Sequence, residues 1–144
     1  MDQRHAAEIA HLLNTQNQLE IHYDASLVLA HADDYLVDLS EDGRVACCAQ
    51  LKRVQWYQSE ICHVTTNPDF ARKGRGLRIV ASAEDEARKQ GARLVQSTIR
   101  SGNIPSEGLF EKAGFVVGAS FTNPNTGNVV RVWSKSLYPS SAQL

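Results

Sequence analysis

The sequence predicts an α/β fold built on a mixed, mostly antiparallel sheet, and three observations support this prediction. Residues 35–66 contain three short runs in which apolar and polar side chains alternate, and Asp42 with Gly43 between the first two is a strong hairpin signal. Residues 60–99 form a strand, a glycine-containing turn, an amphipathic helix and a second strand, and this order implies one parallel strand pair. Residues 115–136 add two strands around a turn-rich segment, so we expect helices to flank a central sheet.

The length and composition fit one domain over residues 1–144. The hydrophobic fraction of 42% is ordinary for a folded protein, and the net charge of -1 gives no attraction to nucleic acid or to an acidic membrane. No apolar run is long enough to span a bilayer, and the N-terminal segment lacks the apolar region of a signal peptide. The cysteines follow no zinc-ligand spacing, so we expect reduced thiols, no metal site and a cytoplasmic protein.

The first half of the chain is predicted to contain two helices and three strands. Residues 4–19 place alanine, isoleucine and leucine at helical spacing, and Asp24 is a candidate N-cap for a short helix through residues 27–29. Cys47 and Cys48 are adjacent in a strand and are expected to face opposite sides of the sheet. The strands, which we expect to form an antiparallel meander, cover residues 35–39, 45–52 and 56–66.

The second half is predicted to alternate helices and strands. A helix begins at Gly76, its alanines favour close packing on the sheet, and Gly91 is the residue expected just beyond its C-terminus. A short helix over residues 104–113 carries Pro105 in its first turn, where proline is tolerated, and Gly114 ends it. The remaining predicted strands cover residues 93–99, 115–121 and 129–136.

The turn between the third strand and the long helix predicts a site for a phosphate-bearing ligand. Gly74 and Gly76 stand where the strand pattern stops and the helix pattern begins, and such a turn points backbone N–H groups outward at a helix N-terminus. Arg72, Lys73 and Arg75 add positive charge. A nucleotide-binding P-loop is disfavoured because no Gly-Lys-Ser/Thr sequence follows the turn.

Two runs of the sequence resemble motifs of the GCN5-related N-acetyltransferases. Residues 60–76, EICHVTTNPDFARKGRG, resemble motif A of that family, which has a strand with glutamate and isoleucine, then a proline, an aromatic residue and a Gly-x-Gly turn. Residues 103–115, NIPSEGLFEKAGF, resemble the family's asparagine, short helix and Gly-Phe. The resemblance covers roughly two thirds of the chain in matching order and implies the same fold, in which the parallel strand pair is splayed.

The resemblance implies acetyl-CoA as the cofactor. Its pyrophosphate is expected on the backbone N–H groups of residues 72–76, its pantetheine arm along the edge of residues 64–66, and Asn103 on the opposite side of the arm. The cofactor-binding residues implied in this way are Val64, Thr66, Ala71, Arg72, Lys73, Gly74, Arg75, Gly76, Asn103, Ser106 and Phe110.

Two of these positions depart from the family pattern. Ala71 stands where the family usually has arginine or glutamine, which removes a side-chain contact but no backbone donor. Phe110 stands where many members have a tyrosine that protonates the leaving thiolate, and a phenyl ring has no proton to donate.

Glu60 and His63 are the candidate catalytic residues. Glu60 matches the strand glutamate that is the general base of the family's histone acetyltransferases, and the alternative is a solvated carboxylate at a strand end. His63 titrates near neutral pH, but strand alternation places it opposite to Glu60 unless a bulge intervenes, and a structural histidine is the alternative. Cys62 is interpreted as a core residue.

The resemblance therefore implies an acetyl-CoA-dependent N-acetyltransferase that acts by direct attack of a primary amine of a small molecule or an amino acid. Two alternatives stay open: an acetyltransferase acting on a protein or peptide amine, and a CoA-binding module without turnover. The oligomeric state also stays open, and a homodimer through the C-terminal strands is the form that is common in the family.

Overall fold

A computed structural model describes residues 1–71 and 73–138, so the predicted site residue Arg72 lies outside the described residues. Within these ranges no helix combines the length and apolar character needed to cross a membrane. All predicted helices and strands are present. The largest shifts are of three residues, at the end of the first helix, predicted at 19 and found at Gln16, and at the end of the second strand, predicted at 52 and found at Gln55. The third strand begins two residues later than predicted, because Trp56 and Tyr57 form the preceding turn. The elements are α1 (Gln3–Gln16), α2 (Ala25–Ala30), β1 (Tyr35–Leu39), β2 (Val45–Gln55), β3 (Gln58–Thr66), α3 (Arg75–Lys89), β4 (Leu94–Arg100), α4 (Ile104–Lys112), β5 (Val116–Thr122) and β6 (Val129–Ser136), with short 3-10 helices at Ala32–Asp34 and Pro68–Phe70.

The six strands form one sheet in the order β1-β2-β3-β4-β6-β5. β3 and β4 are parallel, because α3 carries the chain back across the sheet between them, and every other neighbouring pair is antiparallel. The predicted mixed, mostly antiparallel sheet with flanking helices is confirmed.

The parallel pair is splayed. β3 and β4 pair only from Gln58 with Leu94 to Glu60 with Gln96. Just beyond, the Ser97 hydroxyl donates to the carbonyl of Ile61 at 2.8 Å, and the strands then separate. One edge of the second half of β3 therefore has no strand beside it and borders an opening in the sheet.

Two hydrophobic clusters cover the two faces of the sheet. Cys47 belongs to the cluster under α3 and α4, whereas Cys48 belongs to the cluster under α1 and α2, as strand alternation predicts. The α3 side contains Ile61, Val80, Ala83, Val95 and Phe110 among others, and the α1 side contains Ile9, Leu13, Val28 and Val45.

The helix ends follow the predicted chemistry. The Asp24 carboxylate accepts from the backbone N–H of Leu27 at 2.8 Å and caps α2. Gly91 has φ +87° just beyond α3, a conformation that glycine adopts without strain. These local signals explain why α2 begins and α3 ends where the sequence pattern predicts.

Phe110 holds α4 to the sheet, and its removal is expected to destabilise the fold. The ring is 2% exposed and packs edge-on against Phe115 with 4.9 Å between ring centroids. Replacing Phe110 with alanine leaves a cavity, so we expect the free energy of unfolding to fall by about 3–5 kcal/mol in urea titrations. The control Ile104→Ala removes a 69% exposed side chain from the same helix and should change it by less than about 0.5 kcal/mol. Equal losses would contradict the buried placement.

Candidate active site

The opening between β3 and β4 continues into a cleft of about 800 Å³. The end of α1, the second half of β3, the N-terminus of α3 and one face of α4 form its walls. The lining residues are Gln16, Asn17, Val64, Thr65, Thr66, Ala71, Gly74, Arg75, Gly76, Leu77, Asn103, Ile104, Pro105, Ser106, Gly108, Leu109 and Lys112.

The N-terminus of α3 presents backbone donors to this cleft. Gly74, with φ +69°, is the N-cap and has no side chain that accepts from the first turn. A Cβ added at Gly76 would lie 3.5 Å from the Leu109 methyl groups and 3.8 Å from the Thr66 hydroxyl. A larger side chain at this position would therefore occupy the cleft, and its absence leaves room for a phosphate group against the helix end.

The charged side chains of Lys73 and Arg75 contribute less to the cleft than the backbone N–H groups of the same turn do. The Arg75 guanidinium pairs with Asp38 on β1 at 2.8 Å and is only 17% exposed. It also stacks over the ring of Phe70, 5.7 Å from the centroid. The side chain of Lys73 is not among the described groups that line the cleft. What this turn offers the cleft is mainly backbone N–H and the helix dipole.

The α4 wall is organised by Asn103. Its side-chain oxygen accepts from the Ser106 backbone N–H at 3.5 Å as the helix cap, and both residues line the cleft. Because the oxygen is used in the cap, the amide nitrogen of Asn103 is the group available to a ligand. Phe110 points away into the core, and its neighbour Leu109 faces the cleft instead.

Several lining residues were not found from the sequence. Asn17 comes from α1 and donates to the Thr65 hydroxyl at 3.0 Å, a contact between residues far apart in the chain. The lining residues of α4 share one helix face, since Ile104, Gly108 and Lys112 follow one another at intervals of four residues. The same spacing counted from Asn103 leads instead to residues 106, 107 and 110, so it offered no signal for the missed residues. The missed residues are Gln16, Asn17, Leu77, Ile104, Pro105, Gly108, Leu109 and Lys112.

A bulge in β3 changes the side on which His63 lies. The pairing with β2 shifts between Cys48 and Gln50, and His63 has φ +56°, in the left-handed region. His63 contacts the ring of Tyr23 on the α1 side, with 6.0 Å between centroids. The bulge is the exception under which strand alternation no longer places His63 opposite to Glu60, and His63 shares a face with Glu60.

Burial keeps His63 neutral. It lowers the pKa of the imidazole from its ordinary value of 6.5, the positive charge of Lys52 lowers it further, and Glu60 opposes both effects. A neutral imidazole accepts a proton, so His63 is chemically suited to be a base near neutral pH.

The Glu60 carboxylate receives two hydrogen bonds. Its Oε1 accepts from the Gln96 amide at 3.1 Å, and its Oε2 accepts from the Cys62 thiol at 3.4 Å. Burial, with the neighbouring Glu60 charge, raises the pKa of Cys62 to about 12. The thiol therefore stays protonated near neutral pH and is a poor nucleophile.

The lowered pKa of His63 makes the folded state sensitive to acid. The contribution of neutral His63 to the free energy of unfolding is fully present above pH 6.5. It is lost as the pH falls through the lower pKa of the folded state, because His63 binds a proton more readily in the unfolded chain. We expect His63→Gln, which cannot titrate, to reduce the loss of unfolding free energy between about pH 7 and pH 5 in urea titrations. Parallel curves for the two proteins would contradict this assignment.

Solved structures share this fold. The chain is 21% identical to yncA, a putative acetyltransferase from Salmonella typhimurium with acetyl-CoA, at a TM-score of 0.82 over 98% of this chain and 93% of that one. It is 17% identical to Ard1 from Thermoplasma volcanium, with a TM-score of 0.81, over 96% and 95% of the two chains. The ribosomal-protein-S18-alanine N-acetyltransferase from Escherichia coli is 16% identical, with a TM-score of 0.73, over 100% and 95%.

Sequence comparison gives the family directly. A search of curated proteins gives no significant match. Residues 5–115 match the model of the acetyltransferase (GNAT) family, and this range includes the β3–α3 turn, the splayed strands and α4. Because the family model covers most of the chain, the protein belongs to the acetyltransferase (GNAT) family.

Proposed function

We propose that the protein is an acetyl-CoA-dependent N-acetyltransferase, in which a primary amine attacks the thioester directly. The observation that carries the proposal is the alignment of two features along the splayed strand β3. A glycine-lined helix N-terminus lies at one end of the cleft, and the hydrogen-bonded carboxylate of Glu60 lies where β3 and β4 separate. Glu60 is not among the described residues that line the cleft, so the proposal places the acyl end of a phosphate-bearing carrier where the two strands part, beside Glu60.

The lining residues fit the cofactor that the family uses. The backbone N–H groups at Gly74 to Gly76 would take the pyrophosphate, and Ala71, beside them, leaves this end of the cleft open. The free edge at Val64 and Thr66 would hydrogen-bond the pantetheine amides. The cofactor supplies an activated acetyl thioester when it is bound, and Asn103 and Ser106 would orient it from α4.

Glu60 is the proposed general base. As the amine nitrogen forms its bond to the acetyl carbon and the carbon–sulfur bond breaks, Glu60 accepts the proton that the nitrogen loses, directly or through one water. His63, neutral and on the same face, is the second candidate for this role. Phe110 has no proton to donate, so the thiolate would leave without an acid from that position.

A small molecule or an amino acid is the first acceptor we propose. The second candidate is a protein or peptide amine, which one observation favours. Glu60, Gln96, Ser134 and Val116 stand side by side across β3, β4, β6 and β5, and Val116 at the end of this row is 68% exposed. The exposed end of this row at the sheet edge is accessible to an extended chain that would run toward the base.

The homodimer stays a prediction. β5 is an edge strand, and all seven of its residues are exposed. An exposed edge without charged side chains is a surface on which a second copy can pair.

Release of free thiol from acetyl-CoA, measured over a panel of amines, amino acids and peptides, tests the proposed function. We expect release that depends on an acceptor, and acetylation of that acceptor's amine by mass spectrometry. A protein that binds CoA in calorimetry and releases no thiol with any acceptor would instead be a CoA-binding module.

A further inference from the structure

The Glu60 side chain is held from the neighbouring parallel strand. Gln96 on β4 is its register partner in the last pair before the strands separate, and the Gln96 amide donates to Glu60 Oε1 at 3.1 Å. The oxygen of the same Gln96 amide accepts from Gln58 at 2.5 Å. One glutamine thus has both ends of its amide engaged, and its orientation toward Glu60 is fixed by β3 as well as β4.

Both donors to Glu60 are neutral. The second is the Cys62 thiol, which bonds Oε2 at 3.4 Å and stays protonated near neutral pH. Each carboxylate oxygen therefore has one neutral donor. Neutral donors orient a carboxylate without forming the close ion pair that would make it a weaker proton acceptor.

The other ionisable groups around the carboxylate come from three elements. Lys52 on β2 is the cross-strand register partner of Glu60. His63 lies on the same face of β3. The negative charge of Asp34, in the short 3-10 helix, raises the pKa of Cys62 as Glu60 does, whereas the positive charge of Lys52 lowers it. On the β4 side, the group that contacts Glu60 is the uncharged Gln96.

We propose that Gln96 is the positioning residue of the catalytic base: it fixes the Glu60 carboxylate at the point where the strands part, and Gln58 fixes Gln96. The proposal rests on the proposed function, in which Glu60 takes the proton of the amine. A base that turns away from the attacking nitrogen loses its effect, and small misplacements of catalytic groups lower rates strongly.

Two variants of Gln96 test this role through the pH profile of kcat/KM. Gln96→Leu removes the donor, and we expect a loss of about tenfold to a hundredfold in kcat. Gln96→Glu keeps the shape but places a second carboxylate against Glu60, so the pair binds a proton more readily. We expect the acidic limb of the profile to move to higher pH by about one unit or more. Gln58→Leu should change kcat in the same direction as Gln96→Leu and by less.

The matched control is Gln90→Glu. Gln90 also donates to a glutamate, Glu86, at 3.3 Å, but on the surface of α3 away from the cleft. This variant should retain the wild-type rate and pH profile. A purely structural role for Gln96 predicts lower thermal stability with an unmoved acidic limb, so thermal unfolding and CoA binding are measured for each variant.

The outcomes separate the two proposals. If Glu60→Gln retains wild-type turnover, Glu60 is not the base and the proposed mechanism fails. If Glu60→Gln is inactive while Gln96→Leu and Gln96→Glu keep both the wild-type rate and the wild-type acidic limb, the base is correct and the positioning role of Gln96 is overturned. Should Gln96→Glu fail to fold, Gln96→Leu decides: a lower kcat with unchanged CoA binding and thermal stability supports the positioning role, and a wild-type kcat, or a loss of kcat that accompanies a loss of stability, overturns it.

Discussion

Replacing Glu60 with glutamine is expected to lower kcat by about two orders of magnitude or more at neutral pH. Glutamine keeps the size of the side chain but accepts no proton, so the attacking amine must lose its proton to water. The loss should shrink as the pH is raised, because a larger fraction of the amine is then already neutral. Steady-state rates of thiol release between about pH 7 and pH 9 give this comparison.

Binding and a surface control isolate the chemical step. The CoA affinity of the Glu60→Gln variant should be nearly that of the wild type. The residues proposed to bind the pyrophosphate, Gly74 to Gly76, and those proposed to bind the pantetheine arm, Val64 and Thr66, do not include Glu60. Glu111→Gln, which changes an exposed glutamate on α4, should leave kcat unaltered. Wild-type turnover of the Glu60 variant at neutral pH would remove Glu60 from the mechanism and leave His63 as the base to test.

Replacing Gly76 with valine is expected to abolish the thermal stabilisation that CoA gives. The backbone at Gly76 is compatible with a side chain, and a Cβ there makes ordinary contacts of 3.5 Å with Leu109 and 3.8 Å with Thr66. The two methyl groups of valine would extend beyond that Cβ into the cleft and occupy the place proposed for the phosphate. At a CoA concentration 100 times the wild-type Kd, the wild-type protein gains about 2.7 kcal/mol, and the variant should gain almost none.

A graded series separates blocking of the cleft from damage to the helix. Gly76→Ala should bind CoA with intermediate affinity, because a single methyl group fills less of the cleft. Ala81→Val adds the same branched side chain on the exposed side of α3 and should keep the full CoA-dependent shift. A Gly76→Val protein that binds CoA like the parent would place the phosphate site elsewhere.

The order and type of the elements were predictable because their signals are local. The hairpin at Asp42 and Gly43, the cap at Asp24 and the glycine at Gly91 each act within a few residues, so neighbouring sequence is sufficient to specify them. The opposite burial of Cys47 and Cys48 follows from strand alternation alone. Even the parallel pair followed from one strand–helix–strand order.

The helix-end part of the candidate site was predictable for the same reason. Backbone donors at Gly74 and Gly76 depend on a local glycine turn and a helix start, and both are present in the sequence. Side-chain directions were not predictable. Arg75 pairs with Asp38 on β1, and Phe110 is buried in the cluster that also contains Ile61 of β3. These partners are distant in the sequence, so the local pattern does not specify which way either side chain turns.

The succession of strands and helices and the turn at Gly74 and Gly76 follow from local sequence patterns, and Glu60 follows as a candidate base from the family resemblance. The groups that surround that base depend on how the chain folds. His63 shares its face because β3 bulges against β2, and Gln96 reaches it because the crossover through α3 sets the register of the parallel strands. A bulge and the register of a strand pair both depend on contacts between separate segments of the chain. Packing across the sheet, rather than the local sequence pattern, supplies the free energy that selects them.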